Sequence, residues 1–483
     1  MKSNALYSRF VTKHRGCFAL TALSTAILSG CVAPNDEATP KLAQMSELQY
    51  QQSFADSQQV NWPTMNWWTR YQDKQLDQLI EQAFADSPDL KIAQARLRDA
   101  QGIAQQIGAT KKPTVGLSAT ASESKVSYQY QAYAPPADWN DYGTLTLNFN
   151  YDFDFWGKNK AAVIAATNEL AATKAETISA RLMLATSIAN AYAELARLYK
   201  NEHTVAEAVS LRSQTVELLE KRYKNGLETL GSVNQAKSIR ASVEAELLGI
   251  KEAIALQKNA LAALVGQGPD RAKFITEPQI QLGTRYGLPS NVGVGLLGHR
   301  ADITAARWRA EAAAQRVGIA KAQYYPDVSI SAFIGYQAFG LDNLTRSGND
   351  AGSIGPAIYL PLFMGGRLDG QLTSARAHYQ QAVNSYNQTL TNALHEVADV
   401  VTSSRALHAR INKTQEAVDA AQQAYNIANN RYKGGLSTYL DVLVAEEALL
   451  NNQRALVNLQ SRAFSLDLAL VHALGAGYQP KKS

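Results

Sequence analysis

The chain has 483 residues, 46% hydrophobic and 18% charged, which excludes a largely disordered protein and leaves room for two or three domains. Its formal net charge is +5, but Lys2, Arg9, Lys13 and Arg15 lie in the first thirty residues with no acid among them; removing these four takes the charge to +1. A near-neutral mature chain excludes a general nucleic-acid binder, which needs a concentrated basic face.

Residues 1–30 read as a secretory signal. A basic region ends at Arg15, an apolar stretch runs from Phe18 to Leu28, and Ser29 and Gly30 lead to Cys31. The string LSGC resembles a bacterial lipobox, which implies that Cys31 carries N-palmitoyl and S-diacylglycerol lipid. The alternative is a plain signal peptide with an incidental cysteine. Cys17 leaves with the signal, so Cys31 has no partner for an intramolecular disulfide. Val32 stands where an Asp commonly holds bacterial lipoproteins at the inner membrane, so the same resemblance implies sorting to the outer membrane. Several acyl chains give stable anchoring where one is marginal. Residues 31–75 then form a lipidated N-terminal segment. No later stretch reaches the roughly 18 to 20 apolar residues of a transmembrane helix, so any span must be built from strands.

The rest of the chain is written twice. An offset of 209 brings Gly157-Lys158 onto Gly366-Arg367, RYKNGLETL (222–230) onto RYKGGLSTY (431–439), Val233 onto Val442 and LAALVG (261–266) onto LVHALG (470–475). Upstream the offset is 213, and brings Asp89-Leu90 onto Asp302-Ile303, Arg96 onto Arg309 and Pro113 onto Pro326. Two repeats follow, at 76–266 and 298–475, joined by a crossover at 267–297 and trailed by a tail at 476–483.

Each repeat has the same order of elements. A helix comes first, at about 76–111 and 299–323. A strand follows a proline, in PTVGLSATAS (113–122) and PDVSISAFIGY (326–336). After a polar loop comes a second strand, TLTLNFNYDF (144–153) and SIGPAIYLPLF (353–363). Period-two alternation with β-branched and aromatic residues predicts strands, and their length suits a tilted transmembrane β-strand.

Very long helices come next. From Val383 through Tyr386, Leu390, Ala393, Val397, Val400, Ser404, Leu407, Ile411, Thr414, Val418, Ala421, Tyr425 and Ala428 to Tyr432, apolar residues keep a 4-3 spacing, the mark of a coiled-coil seam. The first repeat keeps a seam from Leu184 to Tyr223, less clean because Glu202 and Arg212 lie on it. Helices of ~65 residues would be ~100 Å long at ~1.5 Å per residue. Each ends at RYKxGL. Gly226 and Gly434-Gly435 can adopt the left-handed conformation that stops a helix, and Thr229 and Ser437 or Thr438 can cap the return helix. Four strands cannot close a membrane barrel, so several chains must share one; geometry alone permits two, three or four. A lipid-tethered coiled-coil rod with no barrel is the competing architecture.

By these residues the chain resembles the TolC/OprM outer-membrane efflux proteins, in the lipoprotein (NodT-type) branch. The resemblance is carried by WPTMNWWTRYQDKQLDQLI (62–80), YDFDFWGKNKAAV (151–163), LPLFMGGRLDGQL (360–372) and Tyr386-Asn387-Gln388-Thr389. GAGYQ (475–479) resembles the end of multidrug-resistance members. Ala301 departs from the family's usual proline. The resemblance implies an α+β membrane protein: a homotrimer whose twelve-stranded β-barrel takes four strands from each chain and continues as a long α-helical coiled-coil barrel. It implies a passive exit duct, not an enzyme, for drugs and other small toxic compounds. Its partners would be outer-membrane lipid, a periplasmic adaptor and an inner-membrane pump of RND, MFS or ABC type; export of polypeptides is the variant reading.

The resemblance also assigns roles. TYLDVLVAEE (438–447) matches the segment that narrows the periplasmic mouth, with Leu440 and Asp441 at constriction positions and Val444 where many relatives carry another Asp. Tyr432 matches a residue that ties the closed mouth. Asp441 as a solvated helix-face acid, and Tyr432 as the last knob of the seam, are the plainer readings. Arg222, Tyr223, Gly226, Leu227, Arg431, Gly435 and Leu436 form the turns expected to meet the adaptor. GVGLLG (293–298) has the glycine spacing of a dinucleotide loop but lies in a glycine-rich crossover after no credible strand. His395-Glu396 starts a zinc-helix motif that Asp399 breaks, and His299, His378, His408 and His472 lack ligand spacing. No cofactor, metal, catalytic residue or nucleic-acid partner is expected, the lipid on Cys31 apart.

Overall fold

The computed structural model describes residues 40–54, 61–126, 136–280 and 292–478; Cys31 and the signal lie outside them. The main helices are α1 (Lys74–Asp86), α2 (Pro88–Ala109), α3 (Lys158–Lys224), α4 (Leu230–Leu264), α5 (Val292–His299), α6 (Ala301–Ala322), α7 (Arg367–Lys433) and α8 (Tyr439–Ala473). The strands are β1 (Thr114–Ser124), β2 (Asn140–Phe153), β3 (Asp327–Phe339) and β4 (Asp350–Tyr359). They divide between two compact units. The first contains Arg98–Ala172 and Arg307–Ser385, and with them all four strands; the second contains Ala43–Leu97, Thr173–Ala306 and Tyr386–Ser483. Both α3 and α7 have 67 residues, the length expected from the seam.

In the first unit the strands form one antiparallel sheet in the order β1-β2-β3-β4. Directly opposed residues point to one face. The register Leu117↔Leu147↔Ile334 and the neighbouring pairs Val115↔Phe149, Ala332↔Ile354 and Val328↔Ile358 place an apolar set on one side. The other side carries Ser118, Thr144, Thr146, Asn148, Asn150, Ser331 and Ser353, with Phe333 as an exception. The apolar face is open: Leu117, Ile334 and Ile354 are 73%, 68% and 75% exposed. In water such a face is unfavourable, whereas hydrocarbon matches it. β1 and β4 each keep one edge that no described strand covers. Pro356 of β4 stands opposite Ile330 and brings no N–H to the ladder.

The YDFDFWGK segment is the hinge from β2 into α3. Asp154 accepts from the backbone N–H groups of Asn159 (3.0 Å) and Lys160 (2.7 Å), which lack intrahelical partners. Gly157 has φ +74°, and Lys158 pairs with Asp327 at 3.2 Å. The Trp156 ring stacks on Tyr325, and its Nε1–H donates to the Pro326 carbonyl at 2.9 Å. Trp156 and Lys158 therefore tie the first repeat to the start of the second strand pair, while Asp154 and Gly157 shape the turn itself.

The second unit is built on an apolar core in which Trp67, Trp68, Leu79, Ile80, Ile188, Tyr192, Leu195, Leu261 and Phe464 are buried together. Here the structure corrects four expectations. The helix expected at 76–111 is two helices, because Ser87 precedes a proline and takes ψ 125°, outside the helical region. The strand expected to reach Phe363 ends at Tyr359, before Pro361 removes a donor. The GVGLLG stretch is helix α5 rather than loop; a Cβ on Gly293 or Gly295 would lie 2.2 Å from Tyr50 or Trp62, so these glycines admit two aromatic rings. Ser404, placed on the seam by spacing, is exposed.

The duplication extends to a close backbone contact. Gly266 ends α4 with φ +74°, and a Cβ there would lie 2.7 Å from the Asp86 carbonyl oxygen. Its counterpart Gly475 follows α8 with φ +69°, and a Cβ would lie 2.3 Å from the His299 oxygen. Beside it Arg300 is buried; it donates to both Asp302 oxygens (3.0 and 2.6 Å), to Glu396 and to the Ala473 carbonyl. Gly266→Ala and Gly475→Ala are each expected to cost ~1–3 kcal/mol through overpacking and the strained φ. Gly249→Ala, where a Cβ meets open space, should be neutral or slightly stabilising. Thermal unfolding of the detergent-purified protein, followed by circular dichroism, compares them.

Candidate functional site

The two RYKxGL turns fold alike and meet in the second unit. At the first, Gly226 has φ +72°, its N–H reaches the Tyr223 carbonyl (2.9 Å) and the Leu227 N–H reaches the Arg222 carbonyl (2.9 Å). At the second, Gly435 has φ +72°, with its N–H to Tyr432 (3.0 Å) and the Leu436 N–H to Arg431 (2.8 Å). These paired bonds satisfy the last carbonyls of α3 and α7, and the left-handed conformation favours glycine. The return helices are capped by Thr229, accepting from Ser232 N–H (3.1 Å), and by Thr438, accepting from Asp441 N–H (3.4 Å). Of Ser437 and Thr438, then, Thr438 is the cap.

The turns differ in what they bury. Tyr432 is 3% exposed, whereas its repeat counterpart Tyr223, expected to close the first seam, is 44% exposed. The Tyr432 ring lies under the Arg222 guanidinium, 5.0 Å from its centroid, and its hydroxyl donates to Glu228 at 3.3 Å. Burial pushes that hydroxyl up to about 12, with Arg222 opposing and Glu228 adding to it, so it remains a donor. Two residues of the first turn thus hold one residue of the second, and Tyr432 is buried as the last knob of the seam. Glu228 carried no sequence signal, because a single acid beside a turn glycine reads as solvated.

Leu440, Asp441 and Val444 are exposed on α8, and Leu227 and Leu436 are exposed at the turns. Asp441 is also part of a capping box: its Oδ2 accepts from the Thr438 N–H and hydroxyl, both at 2.9 Å. The backbone bond first, and the hydroxyl bond second, hold its carboxyl below the usual carboxylate range.

A second charged site was only half legible. Arg212 interrupts the α3 seam, and the structure supplies its partner: Glu446 of α8, with Nε and Oε1 3.2 Å apart and both side chains buried. A buried guanidinium demands a counter-charge, but spacing along one helix does not say which helix provides it. Among the described residues no His, Cys, Asp and Glu cluster could hold a metal, and no helix is long and apolar enough to cross a membrane.

A four-stranded sheet with one lipid-compatible face, on a chain with two long helical hairpins, defines the class of outer-membrane channels with helical extensions. The family model for the outer membrane efflux protein matches residues 79–267 and 294–476, one match to each repeat. The chain belongs to the outer membrane efflux protein family, and is an outer-membrane efflux channel of a Gram-negative bacterium. It is similar to the fusaric acid resistance protein FusA of Burkholderia cepacia, with 33% identity over 75% of this chain and 70% of that one. It is also similar to the multidrug resistance outer membrane protein MdtP of Escherichia coli, with 29% identity over 94% and 95% of the two chains. The crystal structure of the outer membrane protein VceC from Vibrio cholerae superposes with a TM-score of 0.82 at 72% identity, covering 86% of this chain and all of that one.

Because the folded carboxyl of Asp441 is held low, its contribution to the cap is present above the ordinary carboxylate pKa and lost as pH falls through the depressed value. The protection factors of the amides over 439–443, taken against the intrinsic exchange rate at each pH, should therefore fall on acidification in the native protein. In Asp441→Asn the same segment should show no such pH step.

Proposed function

We propose that three copies of this chain form a gated exit duct that passes drugs and other small toxic compounds out of the cell. The sheet carries this reading: one apolar face, one Ser/Thr/Asn-rich face and two open edges suit a segment of a lipid-embedded barrel with a wet interior. Three such segments make the twelve strands that the family resemblance implies. The names of FusA and MdtP, which speak of resistance to fusaric acid and to multiple drugs, favour small molecules over polypeptides.

In this reading Cys31 carries the lipid. The turns at Arg222, Tyr223, Gly226, Leu227, Arg431, Gly435 and Leu436 receive a periplasmic adaptor linked to an inner-membrane pump of RND, MFS or ABC type. Exposed Leu227, Leu436 and Tyr223 offer that partner apolar anchors beside two arginines. Leu440, Asp441 and Val444 line the gated mouth, with Tyr432 tying it shut. Repeated around an axis, Asp441 would attract cations, and Val444 leaves the next ring uncharged. The duct itself performs no chemistry and carries no cofactor beyond the lipid; the pump supplies the energy.

Detergent-extracted protein should migrate as a heat-modifiable trimer, and its deletion should sensitise cells to dyes and antibiotics. A monomeric helical rod without β signal, or lost polypeptide secretion with unchanged drug sensitivity, would overturn the trimeric drug duct. Asp441→Asn, which keeps a capping oxygen but removes the charge, should weaken cation block and raise conductance in planar bilayers. Cys31→Ser should abolish lipid labelling while strand-driven assembly partly survives.

A further inference from the structure

Helix α8 buries Tyr439, Val442, Glu446 and Leu449. At ~100° per residue these fall on one stripe. Leu440, Asp441 and Val444 fall on the opposite side, and all three are exposed there. Three members of the stripe are carbon-rich and pack with Val216, Leu219, Val233 and Tyr425. Apolar contact is non-directional, so such a stripe opposes sliding or rotation of the helix only weakly. Glu446 is different. It is 2% exposed and faces Arg212 of α3, 6% exposed, at 3.2 Å.

The pair is a poor source of stability. Nε and Nη1 of Arg212 and Oε1 of Glu446 make no well-aligned hydrogen bond. Burial pushes the Glu446 carboxyl up even though Arg212 opposes it, so desolvation outweighs the attraction. The phenols of Tyr425 and Tyr439 are pushed up by burial and then by the Glu446 charge; they pack as neutral groups around it. An ion pair that returns less than it costs to bury can instead specify one arrangement among several of similar apolar energy.

We propose that Arg212 and Glu446 are a positioning pair that sets the register and rotation of α8 on α3, and so the direction in which Leu440, Asp441 and Val444 face. The pair sits on one side of the helix and the presented residues on the other, so a rotation of α8 moves both together. Any opening of this end that turns α8 must break the pair. The inference rests on the reading of this end of the chain as the gated mouth.

Stability and positioning separate in a double substitution. Glu446→Leu alone strands a buried guanidinium and should shift the melting temperature down by several degrees. Arg212→Met/Glu446→Leu should restore it to the native value or above. Spin labels at exposed Gln214 and Ala448, in assemblies diluted with unlabelled chain, should nevertheless show a broader distance distribution in the double variant than in the native protein. The closed-channel current in planar bilayers should rise about tenfold, the shift produced by losing ~1.4 kcal/mol of preference for one register. The charge reversal Arg212→Glu/Glu446→Arg should narrow the distribution again and lower the current. A native-width distribution in the apolar double variant overturns the proposal. A broadened distribution with unchanged current supports the pair's role and overturns the gated-mouth reading instead.

Discussion

In hydrocarbon an unpaired backbone amide or carbonyl costs several kcal/mol, and β1 and β4 each present a row of them. The rest of the molecule follows from that constraint. The apolar face of the sheet suits lipid and the polar face suits water, but the edges suit neither, and in the proposed duct strands of further copies would satisfy them. Four strands are too few to close a membrane barrel, which is the ground of the proposed assembly. The same requirement accounts for the turn into α3, where Asp154 takes up the first free amides of the helix and Trp156 and Lys158 lock β2 to the start of β3.

Duplication supplies the second layer of organisation. Gly266 and Gly475 occupy the same conformation against the same kind of backbone contact, one repeat apart. The turns at Gly226 and Gly435 share their hydrogen bonds to within 0.1 Å. Where the copies diverge, they divide labour. The first turn contributes Arg222 and Glu228 to grip Tyr432, while its own tyrosine stays outside. The second adds an acid to the first turn of its return helix and a buried Glu446 farther along. A symmetric duplication would build two equivalent hairpins, and these substitutions make one of them the holder and the other the held.

The coiled-coil seams were legible because a 4-3 spacing over many turns has few other physical explanations. From Leu390 to Tyr432 nearly every seam residue is buried or half-buried. The polar Ser404 is exposed, since spacing assigns it a direction but its hydroxyl gains nothing from apolar company. Arg212 was visible as a flaw in a seam, yet its partner lies on another helix more than two hundred residues away. Pro88 was visible too, but the ladder of Ala and Gln around it reads as one helix until the conformation of Ser87 shows the break. The glycines of α5 looked like a loop, because their use is to admit the rings of Tyr50 and Trp62, which lie far upstream in the chain.

By itself the sequence determined the duplication, the strand and helix order, the two long seams and the glycine turns. Each of these is a local periodicity or a local backbone requirement, and such signals are written in neighbouring residues. Tertiary structure alone decided that Glu228 and Arg222 hold Tyr432, that Asp441 is a cap as well as a surface acid, and that Arg212 faces Glu446. Those contacts depend on how four helices rotate against one another, and apolar seams leave that rotation open until specific polar groups meet.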